Sequence, residues 1–84
     1  MVDKYLYGNK LVVNKTIELQ CESYQLIGRQ QKVKLNLDKP IEVLNIGRKS
    51  LIFMHNNFEY IYYSNNIEQF IETSFKPKPQ KIHR

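Results

Sequence analysis

The stretch Ile41 to Ser64, IEVLNIGRKSLIFMHNNFEYIYYS, decides the fold. It reads as three consecutive strands joined by two tight turns. Asn56-Asn57 lies between two β-rich runs, Leu51 to His55 and Phe58 to Tyr63. Asparagine tolerates positive φ better than most residues, so a two-residue primed turn fits there. A loop of that length fixes the register: His55 faces Phe58, Phe53 faces Tyr60, and Leu51 faces Tyr62. Side chains alternate across a strand, so these residues share one face, and Ile52, Met54, Ile61 and Tyr63 take the other. Both faces are apolar, whereas a surface hairpin is polar on one side. The hairpin is therefore expected either to be covered on both sides or to offer an apolar, aromatic face to a partner.

Working outward, Gly47-Arg48-Lys49-Ser50 supplies the preceding turn. Ile41 to Ile46 reads as a strand with Ile41 and Val43 on one face and Leu44 and Ile46 on the other. Lys32 to Leu37 alternates cleanly, with Val33, Leu35 and Leu37 inward and Lys32, Lys34 and Asn36 outward. Asp38-Lys39-Pro40 reads as a turn, since proline fixes φ and lacks the N–H a central ladder needs. Thr16 to Glu22 alternates too, with Ile17, Leu19 and Cys21 inward. Nearer the N-terminus, Gly8-Asn9 marks a turn between Lys4-Tyr5-Leu6-Tyr7 and Leu11-Val12-Val13, which suggests a short hairpin. Ser23 to Gln31, with Tyr24, Leu26, Ile27 and Gly28, reads either as a continuation of the strand through a bend or as a loop.

Downstream the period changes. Ile67, Phe70 and Ile71 have helical spacing, and Asn65 followed three residues later by Glu68 resembles a capping box. A short helix from about Asn66 to Thr73 is expected, its apolar stripe closing one end of the sheet. Phe75 is the last apolar anchor. Lys76-Pro77-Lys78-Pro79 cannot form a helix or an inner strand, so residues 76–84 are expected to be an extended, mobile basic tail after a single domain spanning 1–75.

The fold class is therefore mainly all-β: a small antiparallel barrel or rolled sheet of about five or six strands with one short C-terminal helix. The order of strands, tight turns, last hairpin and terminal helix is similar to that of SH3-like small barrels across residues 10–74. The resemblance is architectural and carries no functional residues with it.

With 42 % hydrophobic and 25 % charged residues, the chain belongs with ordinary globular domains. No run approaches the roughly 18 apolar residues of a membrane helix, so no membrane partner is expected. The opening MVDKYLYGNK lacks the apolar centre of a secretory signal, which points to a cytoplasmic protein. The single cysteine, Cys21, excludes an internal disulfide, and its phase with Ile17 and Leu19 makes it a small core residue. The richness in Lys, Asn and Ile fits an AT-rich genome, that of a low-GC Gram-positive bacterium or one of its phages.

The net charge of +5 is unevenly spread. Arg29, Lys32, Lys34, Lys39, Arg48 and Lys49 outweigh Asp38 and Glu42 in one segment, whereas Ser50 to Ser74 carries only Glu59, Glu68 and Glu72. Lys76, Lys78, Lys81 and Arg84 then follow without an acid.

No catalytic, cofactor or metal constellation emerges. His55 and His83 have no cysteine or carboxylate at ligand spacing. The serines sit in no nucleophile elbow, and Gly8, Gly28 and Gly47 are isolated, so no phosphate-cradling loop forms. A non-enzymatic binding or regulatory module is expected. Its first candidate surface is the basic band Arg29, Lys32, Lys34, Lys39, Arg48 and Lys49, suited to a nucleic-acid backbone. Its second is the aromatic face Phe58, Tyr60 and Tyr62, with Phe53, which is either core or dimer packing, or a platform for a protein partner. A homodimer would bury that face against itself.

Overall fold

Hydrophobic alternation becomes strand wherever a turn residue can reverse the chain beside it. The computed structural model describes residues 2–26 and 28–79. A 3₁₀ turn, Val2–Tyr5, leads into β1 (Leu6–Tyr7) and β2 (Lys10–Val12), joined at Gly8-Asn9 with Gly8 at φ +68°. There follow β3 (Ile17–Ser23), β4 (Gln30–Leu35), β5 (Pro40–Ile46), β6 (Ser50–His55) and β7 (Phe58–Tyr63), then α1 (Ile67–Ser74). All seven strands join one antiparallel sheet in the order β1-β2-β5-β6-β7-β3-β4. Its outermost strands, β1 and β4, do not pair with each other among the described residues, so the sheet is not closed.

The central hairpin takes the register expected of it. His55 pairs with Phe58, Phe53 with Tyr60, and Leu51 with Tyr62. Asn56 and Asn57 both take positive φ, 52° and 69°, which matches the right-handed twist of the flanking strands. Leu51, Phe53 and Tyr60 enter the core beside Leu11, Ile41, Leu19, Cys21, Val33 and Leu35. The Phe53 and Tyr60 rings lie 5.9 Å apart. On the same face α1 covers the far end: Ile67 and Ile71 are fully buried, and the Phe70 ring sits 4.5 Å from that of Tyr62. The opposite face carries half-buried Ile52, Met54 and Ile61. They stand in cross-strand rows with Asn45, Glu42, Glu59 and Glu22, and Tyr63 lies exposed beyond them.

Three local expectations are corrected. In β5 the pairing passes from Val43↔Phe53 to Asn45↔Ile52, so Leu44 is an extra residue at a bulge. The bulge turns Ile46 onto the Leu51 side, the same face as Val43, and leaves Leu44 exposed. The β4 strand ends at Leu35, not Leu37: Thr16 Oγ1 takes the Leu37 N–H at 3.1 Å and Asp38 adopts φ +68°, so Leu37 is exposed. The cap of α1 is Asn66, one residue later than the Asn65 reading. Its Oδ1 accepts from the Gln69 N–H at 3.0 Å, because Ser64 first ends the strand and accepts the Asn66 N–H.

The C-terminal segment begins at a single β-bridge. Val13 and Phe75 form an antiparallel bridge, and Phe75 is fully buried. Beyond it, the Lys76 N–H donates to Val12 O at 2.8 Å, and the Lys78 N–H donates to Lys4 O at 2.6 Å. The Tyr7 hydroxyl donates to Pro77 O at 2.9 Å, and the Lys76 ammonium pairs with Asp38. The first residues of the expected mobile tail are thus held against the N-terminal 3₁₀ turn, β1 and β2, and residues 80–84 lie outside the described residues.

Candidate nucleic-acid interface

The fold distributes the expected basic band over three places. Lys32 and Lys34 stand on the outer face of β4, an edge strand bonded only to β3, and Arg29 precedes them in the connecting loop. All three are exposed, but Lys34 faces Glu18 across the ladder and Lys32 faces Gln20. Arg48 and Lys49 form the β5–β6 turn, where their carbonyls receive the N–H groups of Ile67 and Ser64. They line an open cleft with Val2, Ile46, Asn66 and Glu68, so a carboxylate stands in the same recess. In the hydrogen-bonded strand order, β6, β7 and β3 separate β5 from β4. Lys39 lies elsewhere again: its carbonyl accepts the Val13 N–H at 3.0 Å beside the C-terminal segment.

That last position belongs to a basic seam which local sequence does not announce. The bonds Lys78 to Lys4, Lys76 to Val12 and Val13 to Lys39 draw together lysines from the first residues, the middle and the end of the chain. Lys4, Lys10, Lys39 and Lys78 are exposed, Lys76 is partly so, and Lys15 follows the Asn14 N–H that bonds to Ser74 O. Asp3, Asp38 and Glu42 are the acids of this region, with Glu42 opposite Lys10 and Asp38 on Lys76. Elsewhere in the described chain the five bases Arg29, Lys32, Lys34, Arg48 and Lys49 meet five acids, Glu18, Glu22, Glu59, Glu68 and Glu72. The surplus positive charge of the described residues therefore sits at the seam. The signal in the sequence was the pair of apolar anchors, Val13 and Phe75, which bring the two ends of the chain side by side.

The aromatic trio divides by exposure. Tyr60 is buried against Phe53, and Tyr62 is half-buried beneath Phe70. Phe58, beside the Asn56-Asn57 turn, is 54 % exposed. The three share one face, as their spacing predicts, and that face is the one the helix and core occupy.

Among the described residues no three His, Cys, Asp or Glu side chains gather to hold a metal ion, and His83 lies outside them. Cys21 is buried, and loss of hydration pushes its thiol up to about 12 from 9.0. Among the described residues, no helix is long and apolar enough to cross a membrane. Compared with known proteins, the chain matches no family model, no curated protein and no solved structure.

Proposed function

We propose that the protein is a non-catalytic binding module that takes the phosphate backbone of a nucleic acid along the seam of Lys4, Lys10, Lys39, Lys76 and Lys78, without base-sequence preference. The observation that carries this reading is the concentration of surplus charge where both ends of the chain meet. Lysines on a flexible stem meet phosphates as point charges, and several together release condensed counterions. Two of the seam lysines already have an acid beside them, so Lys4, Lys39 and Lys78 contribute most. Tyr7, exposed next to Pro77, offers a ring on which an unpaired base can stack.

The test is fluorescence anisotropy with labelled single- and double-stranded oligonucleotides across a salt series. Binding to single strands is expected to weaken with salt, each phosphate contact adding about 0.7 to the logarithmic slope. The combined Lys4→Ala, Lys39→Ala, Lys78→Ala variant is expected to lower that slope by about 2. Lys32→Ala with Lys34→Ala leaves it nearly unchanged. Absence of binding at low salt, or binding indifferent to the seam variant, overturns the reading.

A further inference from the structure

The free edge of β4 joins geometry and charge in a way the seam does not use. The Ser23 N–H donates to Arg29 O at 3.0 Å, which makes that pair a hydrogen-bonded one. Bonded and non-bonded pairs alternate along an antiparallel ladder. Following the register, Cys21/Gln31, Leu19/Val33 and Ile17/Leu35 are the bonded pairs. Gln30, Lys32 and Lys34 therefore direct their backbone N–H and C=O groups away from β3. No further strand pairs with β4 among the described residues. The residues with free backbone groups are thus also the ones whose cationic side chains line the outer face, while Val33 and Leu35 are buried beneath them.

A second copy of the chain does not suit this edge. Antiparallel pairing centred on Val33 sets Lys32 against Lys34 of the other copy, and pairing centred on Lys32 sets it against itself. Like charges directly opposite are destabilising, and edge lysines are a recognised guard against self-association. The same arrangement favours a strand of opposite charge. We propose that β4 accepts an extended acidic peptide, with Asp or Glu at alternate positions, as an eighth strand of the sheet. Its backbone would bond to Lys32 and Lys34, and its carboxylates would lie beside their ammonium groups. Glu18 already faces Lys34 from the β3 side, so the added strand would complete a Glu-Lys-acid row.

The probe is a blocked peptide of alternating Thr and Glu, about ten residues long, the upper range of natural strands. Amide hydrogen exchange of the full-length, isotope-labelled chain is read with and without it. At high occupancy, exchange at Lys32 and Lys34 is expected to slow by about tenfold, while Gln31 and Val33, already bonded to β3, change little. The same peptide N-methylated at alternate residues keeps its charge but loses the bonds, and is expected not to bind. Lys32→Pro removes an N–H that serves no ladder bond, so it is expected to leave the sheet intact and abolish binding. Lys32→Gln with Lys34→Gln is expected to weaken binding about fivefold to tenfold, two exposed ion pairs' worth. Equal binding of the N-methylated peptide overturns the proposal whatever the proline variant does. So does protection of the Lys32 and Lys34 amides by oligothymidylate but not by peptide, which would make the lysines phosphate contacts. The seam variant used above leaves peptide binding unchanged, so failure at the seam and failure at the edge are read separately.

Discussion

Cys21 shows what one side chain's surroundings do. Its alternation with Ile17 and Leu19 was enough to turn it inward, and the structure leaves it 1 % exposed. An apolar site stabilises the neutral thiol, which is why the folded group titrates near 12 instead of 9.0. Below pH 9 the thiol is protonated in folded and unfolded chains alike, and contributes no slope. Between pH 9 and 12 the unfolded thiol loses its proton while the folded one keeps it, so the unfolded state binds fewer protons and stability falls as pH rises. The slope from this one group is at most about 1.4 kcal/mol per pH unit. To isolate this one group the measurement is a difference: urea melts of the parent and of Cys21→Ala from pH 8 to 11. The alanine variant is expected to start less stable, having lost a packed side chain, and to fall less steeply. Parallel curves would show that Cys21 ionises without unfolding. Phe58 gives the contrasting lesson, since period-two alternation fixed its face but not its exposure. At a strand's end, beside a turn, an inward-facing ring still meets water.

At the scale of elements, what was legible followed from turn chemistry. The Asn56-Asn57 loop allowed one register only, because a shift of one residue would exchange the two faces of the hairpin. The Leu44 bulge was illegible for a related reason. The run Val43-Leu44-Asn45-Ile46 fits a plain strand as well as a bulged one, and the choice is made by what Leu51 and Phe53 need opposite them. The helix start was ambiguous because Asn65 and Asn66 are chemically equal caps, each followed three residues later by Glu or Gln. Ser64 decides between them by accepting the Asn66 N–H and ending β7. Asn66→Ala is therefore expected to cost about 1 kcal/mol of stability, the usual worth of an N-cap. Asn65→Ala, at an exposed position outside the helix, is expected to stay within about 0.5 kcal/mol. Chemical denaturation of the two variants checks the assignment. The reverse order of effects would place the cap at Asn65 in solution. Loss of the cap also bears on packing, since α1 holds Phe70 over Tyr62 and buries Ile67 and Ile71.

At the scale of the whole molecule, the seam was beyond the reach of local pattern because it is made of contacts between distant parts of the sequence. Tyr7 and Pro77 are 70 residues apart, and Lys76 and Asp38 are 38 apart. Proline-lysine alternation argued against helix and inner strand, but nothing local said what residues 76–79 lie against. Its place on β1 and β2 gives the segment two separable roles, structural through its backbone and electrostatic through its side chains. A chain cut after Phe75 loses both: the two bonds to Val12 and Lys4, each worth about 0.5–1.5 kcal/mol, and the lysines beyond. It is expected to be less stable by about 1–3 kcal/mol, and the seam's share of the single-strand slope is expected to fall by about 1.4, the two contacts of Lys76 and Lys78. Lys76→Gln with Lys78→Gln keeps the backbone bonds and is expected to lower the slope by up to about 1.4 while keeping most of the stability, since an exposed pair such as Lys76 with Asp38 contributes about 0–1 kcal/mol. A chain cut after Pro79 retains both bonds and both lysines, and is expected to keep its stability and the seam's share of the slope. Should that last chain lose nearly all nucleic-acid binding, the contact would belong to residues 80–84 and not to the seam. Should the double glutamine variant instead bind as the parent does, the surplus charge would act only on solubility, and the proposed interface would fall.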